Sequence, residues 1–283
     1  MKQIESKPLL TVIVAVFNGA KTLQQCIDSF AQQTYENKEL VIIDGGSRDG
    51  TVDLLKANSH LISYWISEPD RGIYNAWNKG LSQAKGEWIC FLGADDYFWD
   101  AHVLEKVSKQ LVTVSPAICV AYAQIMLVNA DGGDLYPVGE PWLKVKKSFT
   151  QLMCIPHQGV MHRRSLFERR GVFDESFRIA GDYELLLREL KTGEAQFIPD
   201  LITTGMRQGG VSSDPANTLV AMREIRRAQR MNGQKMPGGL WLMAMARVYI
   251  RFWLWRVLGE TMTKKALDTY RRVRGLAPYW TKI

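Results

Sequence analysis

The sequence predicts an α/β fold, a mostly parallel sheet flanked by helices and followed by a helical C-terminal extension. Three observations carry that expectation. Short apolar runs alternate with amphipathic stretches of helical period through the first hundred residues. Polar, glycine-containing turns follow several of those runs, and the last quarter is basic, aromatic and helical in pattern. A chain of 283 residues, 46% hydrophobic and 23% charged, can bury a large core and lies far from disordered compositions.

The predicted strands are residues 10–17, 39–44, 61–67 and 87–92. Between the first two, Leu23, Cys26, Ile27 and Phe30 recur at helical spacing; between the third and fourth, Ile73, Ala76, Trp77, Leu81 and Ala84 do so. Next comes a helix at 99–111, then apolar runs at 117–128 and 159–162 around a turn at 129–134. Ser165 followed by Glu168 predicts a capping box, and 182–191 a further helix. Beyond Pro215 follow a basic helix, an apolar aromatic segment and another basic helix. The expected division is 1–213 and 214–283.

The formal charge of +7 is unevenly spread. Residues 207–283 carry 15 Lys and Arg against 4 Asp and Glu, whereas residues 1–206 are net negative. Such a segment can meet nucleic acid or anionic lipid. Cys26, Cys90, Cys119 and Cys154 show no CxxC pairing and three lie in apolar runs, which suits reduced thiols. Residues 1–7 are polar and the apolar run after them is too short for a signal peptide, so a cytoplasmic protein is expected.

Sheets of this kind bind ligands beyond the carboxyl ends of their strands. The first strand ends in Val16-Phe17-Asn18-Gly19, the second in Asp44-Gly45-Gly46-Ser47-Arg48-Asp49-Gly50-Thr51. A strand-end carboxylate can accept hydrogen bonds from a base or ribose, while the same residues equally suit a tight turn in which Asp44 is a cap. The fourth strand runs into Asp95-Asp96. Adjacent carboxylates repel unless a cation offsets them, which suits a divalent metal carrying a diphosphate; helix capping is the alternative.

Together these segments resemble the family-2 glycosyltransferases of the GT-A fold, in the bacterial exopolysaccharide, capsule and colanic-acid-type subgroup. Residues 11–18 look like the family's opening strand, 44–51 like its Asp-Asp-Gly-Ser-x-Asp-Gly-Thr element, and Asp95-Asp96 like its variant DXD motif. Residues 67–80, SEPDRGIYNAWNKG, are similar to a signature of the exopolysaccharide members. Pro156-His157-Gln158-Gly159, Arg163-Arg164-Ser165-Leu166-Phe167, Gly171-Val172-Phe173-Asp174-Glu175 and Ala180-Gly181-Asp182-Tyr183 follow in the family's order.

This resemblance, spanning about residues 9–213, implies a Rossmann-like GT-A sheet and an inverting transfer of sugar from a nucleoside-diphosphate donor, UDP or GDP, to a lipid-linked or polysaccharide acceptor. Val16, Asn18, Asp44, Asp70, Asn78 and Asp95 would surround the nucleotide. Asp95 and Asp96 would hold Mn²⁺ or Mg²⁺, with Asp96 the direct ligand. Asp182 would be the catalytic base, with helix capping as its alternative; His157 and Gln158 would sit near the acceptor, with a core or turn position the alternative for His157.

Three departures stand out: Gly45 where many members have a uracil-reading Asp, Gly93 where an acid is common, and Ala15 for Pro. They motivate a rival reading, a catalytically inactive membrane-associated scaffold that binds nucleotide-sugar or glycan. A nucleotidyltransferase is disfavoured because no Gly-rich phosphate loop stands near residue 1.

Residues 238–258, GGLWLMAMARVYIRFWLWRVL, are apolar and Trp-rich but interrupted by Arg247, Arg251 and Arg256. Three arginines oppose a spanning helix, whereas Trp, Tyr and flanking Lys and Arg favour an anionic membrane surface. Packing on the catalytic domain and a homo-oligomer interface are the alternatives. Nucleic acid is not expected, since no base-reading motif accompanies the charge. The expected location is the cytoplasm, peripheral on the inner face of the bacterial inner membrane.

Overall fold

Four parallel strands lie in the order β3 (Tyr64–Ser67), β2 (Lys38–Asp44), β1 (Leu10–Val16) and β4 (Trp88–Gly93) in the computed structural model, which describes residues 9–129, 132–208, 215–275, 278 and 280–282. All four follow the sequence pattern. β3 starts later than expected because Leu61 closes a turn onto Asn58 O (2.9 Å). Leu10, Val12, Val14 and Val16 pack with α1 (Leu23–Ala31) and α4 (Val103–Leu111), while Ile13, Val41 and Ile43 face α3 (Ile73–Gln83) and α7 (Gly181–Leu190). Burial on both faces explains why these strands are apolar throughout rather than alternating.

The other half of the sheet is mixed. β8 (Val160–Arg163) runs antiparallel to β4, and β6 (Val120–Val128) antiparallel to β8. β9 (Ala195–Arg207) is parallel to β6, with β5 (Tyr97–Phe98) antiparallel on β9 and β7 (Asp134–Val138) antiparallel on β6. The register of β9 jumps from Phe197 to Ile202 while β6 advances from Tyr122 to Gln124, a bulge that includes Asp200 at φ 55. Bulges of this kind re-aim a strand; here the strand's far end is carried to Arg207, beside Asp96.

Two local expectations fail. The helix predicted at 99–111 begins at Val103, because Tyr97 and Phe98 pair with β9 and Trp99 N donates to Thr203 O (3.0 Å). No capping box forms at Ser165: α6 (Arg164–Arg170) starts one residue earlier, and the Ser165 hydroxyl lies 3.3 Å from Cys119 Sγ.

Beyond the unpredicted α2 (Thr51–Ala57) and α5 (Trp142–Phe149), two helices follow the sheet, α8 (Pro215–Met231) and α9 (Gly239–Val273). Met222, Ile225 and Ala228 of α8 join the same buried cluster as Tyr183 and Leu186 of α7. The region after residue 214 therefore begins inside the first region's core. α9 kinks at Gly259 (φ 74), where the apolar aromatic stretch gives way to the second basic one. Among the described residues no helix is long and apolar enough to cross a membrane.

Candidate active site

Strand register sets the site. Val16 pairs with Asp44, Asp44 with Ser67, and Ala15 with Gly93, so the carboxyl ends of four strands and their loops meet at one edge. Asp44 is buried there, and its carboxylate accepts from Gly46 N (3.2 Å), Ser47 N (3.0 Å), the Ser47 hydroxyl and Ser67 Oγ (2.5 Å). Those bonds fix the loop rather than face a ligand. Asn18, at φ 51, donates from its backbone N to Ser47 Oγ (2.7 Å) and accepts from Arg48 N (3.0 Å). Asp49 accepts from Ala20 N (3.0 Å) and from the Thr51 hydroxyl (2.6 Å), which holds its carboxyl below the usual range. The loops after β1 and β2 thus brace one another before any ligand arrives.

Both missing acids have their volume filled by other carboxylates. A Cβ at Gly45 would stand 2.5 Å from Asp70 Oδ2, so Asp70 leans over the position from the loop after β3 while its Oδ1 accepts from Gly72 N (2.8 Å). A Cβ at Gly93 would stand 2.7 Å from Asp95 Oδ1 and 2.9 Å from Asp96 Oδ2. The glycines make room for acids supplied from elsewhere.

Asp96 is only 3% exposed and accepts from Gly93 N (3.1 Å) and Arg207 N (3.3 Å). Burial, reinforced by the adjacent Asp95 charge, pushes its carboxyl up to about 8. Asp95 is partly exposed. The resemblance implies Asp96 as the direct ligand; in this conformation Asp95 is the more open carboxylate and Asp96 is turned inward. No group of three or more His, Cys, Asp or Glu gathers at metal distance among the described residues. Two hard oxygen donors, completed by substrate phosphate, still fit Mn²⁺ or Mg²⁺.

Asp182 opens α7 and is partly exposed. Its Oδ1 accepts from Tyr183 N (2.7 Å) and lies 3.4 Å from the Tyr74 hydroxyl; its Oδ2 has no partner among the described residues. Loss of hydration, with a contribution from the Glu224 charge, raises this carboxyl to about 6. Such a group is ionised at neutral pH yet basic enough to take a proton.

Besides Asp44, two expected site residues are placed elsewhere. Asn78 accepts from Phe173 N (3.1 Å) and donates to Phe173 O (2.9 Å) and Glu175 Oε1 (3.0 Å), so both amide hydrogens hold the 173–175 segment instead of a nucleotide. His157 is 5% exposed, its ring centroid 5.0 Å from Trp77 and 5.8 Å from Phe91; burial lowers its pKa to about 3. It is a neutral core residue rather than an open acceptor contact. Neighbouring Gln158 remains partly exposed, and its carbonyl accepts from Thr204 Oγ1 (3.0 Å).

Tyr74, Glu224 and Arg207 were missed. Tyr74 lies within the quoted signature but reads as a core aromatic, and Arg207 ends a strand that has no clean period. Glu224 left one signal, as one of 4 acids in a strongly basic segment.

A family model described as "Glycosyl transferase family 2" matches residues 11–177. A relative from Mycobacterium bovis (strain BCG / Pasteur 1173P2), named "PGL/p-HBAD biosynthesis glycosyltransferase", is 27% identical over 275 residues, covering 94% of this chain and 99% of the relative. Among solved structures, a Pyrobaculum calidifontis mannosyltransferase in complex with GDP-Man and Mn²⁺ aligns with TM-score 0.62 at 18% identity, covering 97% of this chain and 83% of its own. S. aureus TarS 1-349 in complex with UDP-GlcNAc aligns with TM-score 0.62 at 17% identity, covering 85% and 71%. At these identities the structures speak to the fold alone. With more than half its length matched by the family model, the chain belongs to glycosyl transferase family 2 and is a glycosyltransferase of the GT-A fold.

Proposed function

We propose that the protein transfers a glycosyl group from a nucleoside-diphosphate sugar to a lipid-linked or polysaccharide acceptor, with inversion, on an anionic membrane surface. The observation that carries the chemistry is Asp182, a partly exposed carboxylate with one oxygen tethered to the Tyr183 amide and its pKa lifted to about 6. Asp182 Oδ2 takes the proton of an acceptor hydroxyl as that oxygen bonds to the anomeric carbon. The bond from that carbon to the diphosphate oxygen breaks, and its electron pair leaves with the nucleoside diphosphate. Asp95 and Asp96 would hold Mn²⁺ or Mg²⁺, which when bound offsets negative charge on the diphosphate.

The filled volumes at Gly45 and Gly93 favour an enzyme over the inactive scaffold, since neither departure leaves its position without a carboxylate. Asp70 supplies the carboxylate that reads an N–H of uracil or guanine, and Phe17, 66% exposed beside Gly45, offers a ring for the base to stack on. A thermal-shift panel of UDP, GDP and dTDP with Mn²⁺ should single out one base, and Asp70→Asn should erase that preference. At 100 times its dissociation constant the chosen nucleotide adds about 2.7 kcal/mol. Turnover on UDP-, GDP- and dTDP-sugars, with the product anomer read by NMR, tests the whole reading: binding without transfer on every donor, or retained configuration, would sink it.

The membrane part rests on α9. Trp241, Ala244, Met245 and Val248 turn inward against the core, leaving Leu242, Met243, Tyr249, Ile250, Trp253 and Val257 exposed on the opposite side. At about 100° per residue, Arg247 and Arg251 border this apolar face on one side and Arg256 on the other. The arginines border this arc, with exposed Phe252 and Leu258 lying beyond them, and an apolar arc flanked by arginine suits a helix lying in the headgroup layer. Ile250→Glu with Trp253→Glu should cut binding to anionic vesicles at least tenfold, measured by flotation; undiminished binding would exclude this face.

A further inference from the structure

We infer that Glu224 of α8 is a positioning residue for the Asp182 carboxylate, making the C-terminal helical region part of the catalytic apparatus. The inference rests on the reading of Asp182 as base and extends it to a residue outside the family-model match.

Glu224 accepts hydrogen bonds from three successive backbone N–H groups, Arg178 N on Oε1 and Ile179 N and Ala180 N on Oε2, each at 2.8 Å. A carboxylate cradled by consecutive amides is a strong arrangement, because each bond is charge-assisted. One turn later on the same face, Arg227 donates to Ser176 O (3.1 Å) and Ser176 Oγ (2.6 Å), and its guanidinium lies 4.4 Å from the Phe177 ring. α8 thus grips residues 176–180 through two side chains. From the other side, the Tyr74 hydroxyl of α3 donates to Ile179 O (2.6 Å) and accepts from Gly181 N (2.8 Å). A Cβ at Gly181 would meet the Tyr74 ring at 2.8 Å, which keeps that ring against the chain.

The three residues immediately ahead of Asp182 are therefore oriented by Glu224 and Tyr74, with Arg227 holding the chain just before them. Among the described residues, the titratable groups that act on Asp182 are the same two, Tyr74 from α3 and Glu224 from α8. Glu224 acts in two ways: its bonds set the position of the base, and its charge makes that base hold a proton more tightly.

The experiment compares Glu224→Gln and Glu224→Ala with Asp182→Asn in the full chain, reading kcat, donor KM and the pH profile of kcat/KM. Glu224→Gln keeps a carbonyl acceptor but loses the charge, so its acid-limb midpoint should move below that of the wild type while donor KM stays within about twofold. Glu224→Ala should lose about 10²-fold in kcat, the cost of a base displaced by about an ångström. If Glu224→Ala does not fold, the Glu224→Gln pH profile decides alone. Wild-type kcat and an unmoved midpoint in Glu224→Gln, with Asp182→Asn inactive, would overturn the positioning role and leave Asp182 as the base. An active Asp182→Asn would instead overturn the underlying reading.

Discussion

Asp182→Asn should lose 10²- to 10⁴-fold in kcat while binding nucleotide as the wild type does. The amide preserves shape and can still accept from Tyr183 N, but it cannot take the acceptor proton. Because burial lifts the native carboxyl to about 6, wild-type kcat/KM should rise with pH through about 6 and level off above it. The linked stability effect has the opposite sense. A carboxyl whose pKa is raised on folding binds its proton more tightly in the native state, so it favours the fold below about 4 and costs stability as pH climbs past about 6. The Asn variant should therefore melt higher than wild type at pH 7 and lose that advantage at pH 4. An enzyme that gains thermal stability as it loses turnover is what a functional carboxylate predicts; a residue serving only as a helix cap would be replaced by Asn with turnover intact, since Asn caps about as well as Asp.

The second large effect is expected at the acid pair. Chelation should abolish transfer and added Mn²⁺ or Mg²⁺ restore it, and Asp95→Asn should lower kcat about 10²- to 10³-fold, the usual consequence of removing one group that offsets charge on a leaving diphosphate. Asp95→Asn should also raise the metal concentration needed for half-maximal rate. The effect on the fold should be small, because Asp95 is partly exposed and makes no side-chain hydrogen bond among the described residues. Full activity in EDTA, or an Asp95→Asn enzyme indistinguishable from wild type across a metal titration, would remove the metal from the proposal.

Much of this architecture was legible in the chain because its strongest signals are local. Buried parallel strands announce themselves as short apolar runs, and α1 and α3 as helical periodicity, so β1 to β4 and their ligand-binding ends could be placed from residues alone. The mixed half of the sheet was opaque. β9 alternates poorly because a bulge interrupts it, and β5 is a two-residue strand that exists only because β9 offers it an edge. At the site, residue types were readable and hydrogen-bond partners were not. Asn78 and His157 have the chemistry of ligand contacts, yet Phe173 and Glu175 consume one and Trp77 and Phe91 enclose the other. Such partners lie many residues away, and no periodicity encodes them.

The docking of α8 carries a practical lesson for anyone shortening the enzyme. A boundary drawn where the recognisable motifs stop would cut away Met222, Ile225 and Ala228, leaving a hole against α7, and would strip Glu224 from the amides that precede Asp182. The smallest working unit has to run past the last motif and past Met231 to at least Val248, because Trp241, Ala244, Met245 and Val248 of α9 pack on the same core.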